Sequence, residues 1–305
     1  MDTTKKPKRL SEKKRTALSA YLFISPFFIL FAIFGLFPMI FSFYLSFFRW
    51  DGLNPMEFNG WKNFSFIFND PVFFSSIKNT FLIGIMGTVP QIVAALLIAF
   101  ALNSALLRFR NTFRTLVFLP YITSIVSVAI IFGLIFNNQP FGFANYILSF
   151  FDIGPIRWNA EYWPVKIAIA TMVFWRWVGY NTIIFLAGMQ SIPKELYEAA
   201  KIDGATVGQQ IRLITLPMLK PITMFVVFTA TIGSLQLFTE PLIFLGRGLR
   251  EEGITVVAYL WRDAFVYNSF GTASAAAIVL FLIIITLTAI NLLITNQIGR
   301  SKKVS

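Results

Sequence analysis

The sequence holds 305 residues, 56% of them hydrophobic and 13% charged, with 36 Phe, a net charge of +12 and neither Cys nor His. A soluble domain carries about 25% charged residues, so this composition, with a mean hydropathy of +0.70, describes an integral membrane protein. The missing Cys and His exclude thiolate and Ser-His-Asp nucleophiles and the usual zinc ligands, and the basic excess is read as membrane topology rather than as a nucleic-acid footprint.

Residues 1–19 form a polar tail with Lys5, Lys6, Lys8, Arg9, Lys13, Lys14 and Arg15, expected in the cytoplasm. The apolar run Ala20 to Phe48 exceeds the roughly 7–15 residue core of a cleavable signal and predicts a retained first span, kinked near Gly35 and Pro38. Arg49 to Lys78, with Gly60-Trp61-Lys62-Asn63-Phe64 and Asp70-Pro71, is too broken by turn residues to span. Further spans are predicted from Thr80 to Asn103, Thr115 to Phe136, Val165 to Gln190, Met218 to Leu245 and Thr272 to Thr295. Each has the roughly 20 residues that the hydrocarbon core requires. The architecture predicted is therefore all-α and polytopic, with six transmembrane helices over 20–296 and a second tail over 297–305.

Lys and Arg concentrate in the N-terminal tail, in the turn with Arg108, Arg110 and Arg114, in the stretch with Lys194, Lys201, Arg212 and Lys220, and at Arg300, Lys302 and Lys303. The alternate loops are poorer in them. The positive-inside rule then places both termini in the cytoplasm. No GxxxxGK[ST] phosphate loop is present, so nucleotide chemistry would belong to another chain.

One polar island interrupts the spans, from Ile192 to Pro221. Pro193 suits the first turn of a helix running to Lys201. Gly204 ends it, and Ala205 to Leu216 resumes with Val207, Ile211 and Ile214 at helical spacing. The pattern predicts an elbow of two short amphipathic helices on a membrane surface, with small residues at Ala199, Ala200 and Gly204 and an acceptor at Glu198.

Within it, Glu198-Ala199-Ala200, three residues, Gly204, nine residues and Ile214-Thr215-Leu216-Pro217 resemble the EAA loop of binding-protein-dependent ABC importer permeases. The flanks, Ser191 to Tyr197 and Ile202-Asp203-Gly204-Ala205, are similar to the carbohydrate-uptake branch of the maltose- and glycerol-phosphate-permease type. The resemblance runs from the first span to about Asn291 and includes Leu119-Pro120-Tyr121, Phe174-Trp175, Gly179-Tyr180-Asn181 and Ala187-Gly188-Met189-Gln190. It implies a type I ABC importer transmembrane domain in the inner membrane of a prokaryote. Glu198, Ala199, Ala200, Asp203, Gly204, Ile214, Leu216 and Pro217 would then couple to a separate ATPase dimer that holds ATP and Mg. A second homologous permease, an extracellular or periplasmic solute-binding protein, membrane lipid and a sugar are the other implied partners, with no cofactor bound by this chain. Relatives often carry Gly-Gly-Pro after the fifth span, where this chain has Gly246-Arg247-Gly248-Leu249-Arg250. That departure bears on substrate and binding-protein contact.

Polar groups inside a span are costly unless they face a cavity or another helix. In the fifth span Thr229, Gly233, Gln236 and Glu240 form one helical stripe. It suits sugar hydroxyls, or else helix packing, and Glu240 beside Pro241 has the alternative of simply being wet. In the fourth span Arg176, Trp177, Tyr180 and Asn181 are candidates for the path, Arg176 pairing with Glu240, meeting substrate or snorkelling outward. Gly84, Gly87, Thr88 and Gln91 read as a helix-contact face. The expected function is import of a di- or oligosaccharide, and Leu237-Phe238-Thr239-Glu240-Pro241 resembles β-linked disaccharide permeases. An ABC permease for an anionic solute such as glycerol phosphate, and an ion-driven secondary carrier, remain as alternatives.

Overall fold

The computed structural model describes residues 12–104, 108–246 and 248–300. The predicted tail 1–19 lies outside the described residues as far as Ser11, as do 301–305 of the second tail and Arg247. Helix α1 (Glu12–Phe31) already begins within the predicted tail, passes through a π-helical turn at Ala32–Leu36 and continues as α2 (Phe37–Leu45). The predicted kink region thus contains a local widening of the helix around Gly35, ahead of Pro38.

The expected loop carries a small hairpin, β1 (Phe48–Arg49) antiparallel to β2 (Glu57–Phe58), and α3 (Lys62–Asn69). Buried Asn63 holds this corner by donating to the carbonyls of Ser46 at 2.8 Å and Phe48 at 2.9 Å. Helix α4 (Pro71–Asn103) starts nine residues before the predicted Thr80. Asp70 caps it, accepting from the Val72 amide at 2.9 Å, and Pro71 occupies a first-turn position. Asp-Pro, read as a turn, is here a helix start.

The third predicted span is not one helix. Helices α5 (Arg110–Ile122) and α6 (Ile125–Ile135) meet at 91°. Thr123 and Ser124 both adopt extended ψ values, and the Thr123 hydroxyl donates back to the Leu119 carbonyl at 2.9 Å. Such side-chain bonds compete with the helical ladder. Among the described residues five helical segments are long and apolar enough to span, or six if the bent pair is one span.

A short helix α7 (Phe143–Ser149) precedes α8 (Tyr162–Gln190). The elbow comes next as α9 (Lys194–Ile202), α10 (Val207–Gln210), a π-helical turn at Ile211–Thr215 and α11 (Leu216–Met218). The fifth predicted span divides into α12 (Lys220–Leu235) and α13 (Thr239–Leu245). Its freed Leu237 carbonyl accepts from the buried Thr255 hydroxyl at 2.6 Å. Helices α14 (Val256–Phe265) and α15 (Phe270–Arg300) complete the chain.

The core sits at two levels. A large cluster includes Phe73, Ile83, Ile169, Met172 and Tyr259; a smaller one at the elbow end includes Ala95, Ala99, Phe185, Met189, Ile192, Leu219 and Val226. Long helices α4 and α8 form the central pair, brought close by small residues: a Cβ on Gly87 would lie 3.1 Å from the Ala170 carbonyl oxygen. This matches helix association in lipid, which depends on close packing rather than on expulsion of water. From Ser19 to Tyr44 the helices α1 and α2 are almost wholly exposed, with α2 touching α15.

The tightest approach joins α5 to α8, where a Cβ at Gly179 would fall 1.7 Å from the Val117 carbonyl oxygen. Backbone cannot yield as a side chain would. Gly179→Ala is expected to separate these helices at a cost of about 1–3 kcal/mol, read as a lower melting temperature of the purified protein; an unchanged melt would contradict this packing.

Candidate functional site

Between α4, α5, α8 and α12 lies a cavity of about 210 Å³ lined by Thr88, Gln91, Tyr121, Val173, Trp177, Tyr180, Asn181, Thr229, Ala230, Gly233, Ser234 and Leu237. Tyr121 and Tyr180 stack with centroids 4.5 Å apart, and Trp177 meets Tyr180 edge-on at 5.7 Å. The sequence candidates Trp177, Tyr180, Asn181 and Thr229 therefore converge here. Thr88 and Gln91, assigned to helix contact, line the cavity as well, although Gln91 also donates to the Trp177 carbonyl at 3.1 Å. Gly84 and Gly87 do pack helices. The wall that periodicity missed is Tyr121, carried by α5 where it packs on α8; the Leu119-Pro120-Tyr121 landmark was its only signal.

Gln236 and Glu240 leave the expected stripe because the helix stops at Leu235. Gln236 is exposed outside the cavity. Glu240, 4% exposed, is buried where α13 packs on α6 and α8, which overturns the wet reading. Arg176 also stands outside the cavity lining, with its guanidinium carbon 6.0 Å from the Tyr121 ring centroid. Its Nε and Nη1 are enclosed without a hydrogen-bond partner. The expected ion pair with Glu240 is not formed; among the described residues the ion pair joins Arg262 to Asp263 at 3.4 Å.

At the end of α8, the elbow stands clear of the bundle. Gly204 adopts φ +78°, while the Gly204 amide donates to Lys201 and the Ala205 amide to Ala200. This paired closure is a Schellman stop, for which a left-handed residue is needed. Thr206 and Gln209 then cap α10 reciprocally. The Tyr197 and Thr215 hydroxyls meet at 2.9 Å and tie the two arms. Glu198, Ala199, Asp203 and Gly204 are exposed on one arm, with Ala200 half-buried. On the other, Ile214 packs inward while Leu216 and Pro217 are exposed. Ile202, 87% exposed, joins Val207 and Leu213 as uncovered apolar side chains. The second arm is less regular than the helix predicted over Ala205 to Leu216, because the π turn widens it.

Residues 91–299 match the family described as binding-protein-dependent transport system inner membrane component. The chain belongs to this family. Among its relatives, the arabinooligosaccharides transport system permease protein of Halalkalibacterium halodurans is 37% identical over 279 residues, covering 90% of this chain and 87% of the relative. The lactose transport system permease protein of Rhizobium radiobacter is 34% identical, covering 92% and 95%. The fold is that of a chain in a bacterial ABC transporter involved in import of the acidic polysaccharide alginate, with a TM-score of 0.81, 24% identity and coverage of 95% and 99%. The membership places this permease in the inner membrane as a multi-pass component of binding-protein-dependent transport, not as a carrier working alone.

A second, polar cleft of about 1110 Å³ opens at the end of the permease opposite the elbow, with Trp50, Asp51, Asp70, Arg262, Asp263 and Tyr267 in its lining. Tyr259 donates to Asp70 at 2.7 Å, and burial together with this bond pushes its phenol up. Burial also holds the Asp263 carboxyl above its ordinary value of 3.8, against the pull of Arg262. The folded chain therefore binds this proton more readily than the unfolded chain. Asp263 lowers stability as pH rises from about 4 through its folded value. In Asp263→Asn that decline is expected to shrink, measured as melting temperature across pH 4 to 7; parallel profiles for both proteins would refute it.

Proposed function

We propose that this permease moves a neutral di- or oligosaccharide through a path containing the Tyr121–Tyr180 cavity, and that the elbow carries the drive from a separate ATPase. The observation that supports coupling most directly is the elbow's form: acidic and small residues at Glu198, Ala199, Asp203 and Gly204 beside uncovered Ile202, Val207 and Leu213, on a base anchored in the core by Ile192 and Leu219. An apolar face of that kind calls for a partner, and the sugars carried by the arabinooligosaccharide and lactose relatives favour a sugar as cargo. The cavity chemistry agrees, since tyrosine and tryptophan faces suit the apolar side of a sugar ring and Gln91, Asn181 and Thr229 suit its hydroxyls. In this reading the partners are a second homologous permease, an ATPase dimer holding ATP and Mg, and an extracellular or periplasmic solute-binding protein. Both termini and the elbow lie in the cytoplasm.

The unpartnered Nε and Nη1 of Arg176 favour a second reading, an anionic solute. The arabinooligosaccharides and lactose named for the relatives are neutral sugars, which favours the neutral cargo. Competition between neutral and phosphorylated or carboxylated oligosaccharides in an uptake assay separates the two.

Co-purification from native membrane is expected to recover the ATPase, second permease and binding protein, whereas a chain that purifies alone and transports would sink the proposal. Gly204→Pro cannot reach φ +78°, since proline holds φ near −65°. That variant is expected to insert and to lose ATP-driven uptake, and normal uptake would refute the coupling role. Tyr180→Ala is expected to raise the half-saturation concentration about two- to twelvefold, the equivalent of roughly 0.5–1.5 kcal/mol for one aromatic contact.

A further inference from the structure

Helix α7 and the residues beside it show two unlike sides. On the inner side Asn145 is buried and saturated: its amide nitrogen donates to the carbonyls of Asn137, Gln139 and Ile156, and its oxygen accepts from the Ile156 amide and the Trp158 indole. Ala144 and Leu148 pack on the core. These contacts fix which side of the helix turns outward. The outward side presents Phe141, Phe143, Tyr146, Ile147, Phe150 and Phe151, with Phe141 79% and Phe151 71% exposed. No Asp, Glu, Lys or Arg occurs from 137 to 151.

We propose that this face is a membrane anchor, seated at the boundary between lipid headgroups and acyl chains at the end of the bundle opposite the elbow. Three observations select lipid over a protein. The patch continues the exposed apolar face of α6, where Val126, Ile130, Ile131 and Leu134 point outward as bulky side chains. Helix-to-helix contact in membranes favours small residues, and none of the outward residues of α7 named above is small. A soluble partner that binds and leaves would return the patch to water, which a charge-free cluster of six large apolar and aromatic side chains opposes. Interfacial belts are enriched in Tyr and Trp, and Tyr146 stands here among Phe side chains of the kind that line the buried face of helices lying at the interface. The anchor would fix the depth and tilt of the bent α5–α6 pair, which ends directly before it.

The chain contains no Cys, so one introduced thiol marks one position in it. Spin labels are placed at Tyr146→Cys and Phe150→Cys, with Lys13→Cys, exposed in the basic N-terminal stretch, as the water reference, in the assembled transporter with partner thiols removed and embedded in phospholipid nanodiscs. Power saturation is expected to show a shift from nickel-chelate accessibility at Lys13→Cys to oxygen accessibility at both labels in the patch. Dominant nickel accessibility at 146 and 150 would mean that the face stands in water. Protection from both reagents would mean that a protein covers it. Either result overturns the proposal, and Phe141→Cys at the far side of the patch supplies an independent reading if one α7 variant fails to assemble.

Discussion

Backbone N–H and C=O groups that leave a helix at membrane depth must find partners inside the protein, because hydrocarbon offers none. This constraint governs the two places where the chain breaks a span. The bend between α5 and α6 falls at Thr123–Ser124, just beyond Tyr121, which stacks on Tyr180. At 236–238 the break between α12 and α13 exposes the Leu237 carbonyl, and the Thr255 hydroxyl fills it. Both breaks abut α8, and Tyr121 and Leu237 both line the cavity. The cavity therefore exists because two spans are interrupted where a third helix can shelter them.

The connection after α13 is held with comparable thoroughness. Asn79 donates to the carbonyls of Glu251 and Ile254, Lys166 donates to that of Glu252, and the Thr80 hydroxyl accepts from the Val256 amide. Lys166 is wholly buried, its ammonium 3.3 Å from the Tyr162 ring centroid. Residues on α4 and α8 that hydropathy alone marks as costly are thus the ones that let an irregular segment reach the interior. Polar satisfaction, rather than apolar burial, decides where this chain departs from straight helices.

The same division separates the features legible in the sequence from those that are not. Long apolar runs locate the spans, and Pro193, Gly204 and the amphipathic spacing locate the elbow, because those signals act over a few consecutive residues. The break at Gln236–Phe238 leaves a weaker signal: Pro241 marks a helix boundary nearby, but hydropathy carries a single span through it, and its stabilising partner, Thr255, lies 18 residues beyond Leu237. Periodicity consequently carries Glu240 along a stripe that the chain does not maintain. Thr88 and Gln91 can be assigned a face but not a neighbour, since whether α4 meets a helix or a void there depends on the bend after α5. Asp70-Pro71 is ambiguous in itself, a turn or a cap according to whether the chain beyond it goes helical.

The chain leaves the bundle at Ile192 and re-enters it at Leu219, and both residues are buried in the same core cluster. Between them the Schellman stop, the reciprocal cap and the Tyr197–Thr215 bond join the two arms into one piece. A body fastened at two points keeps a single rotation, about the line through them, as a door does on its hinges. A push anywhere on the exposed arms reduces to one angle, and that angle turns the end of α8 and the start of α12 together.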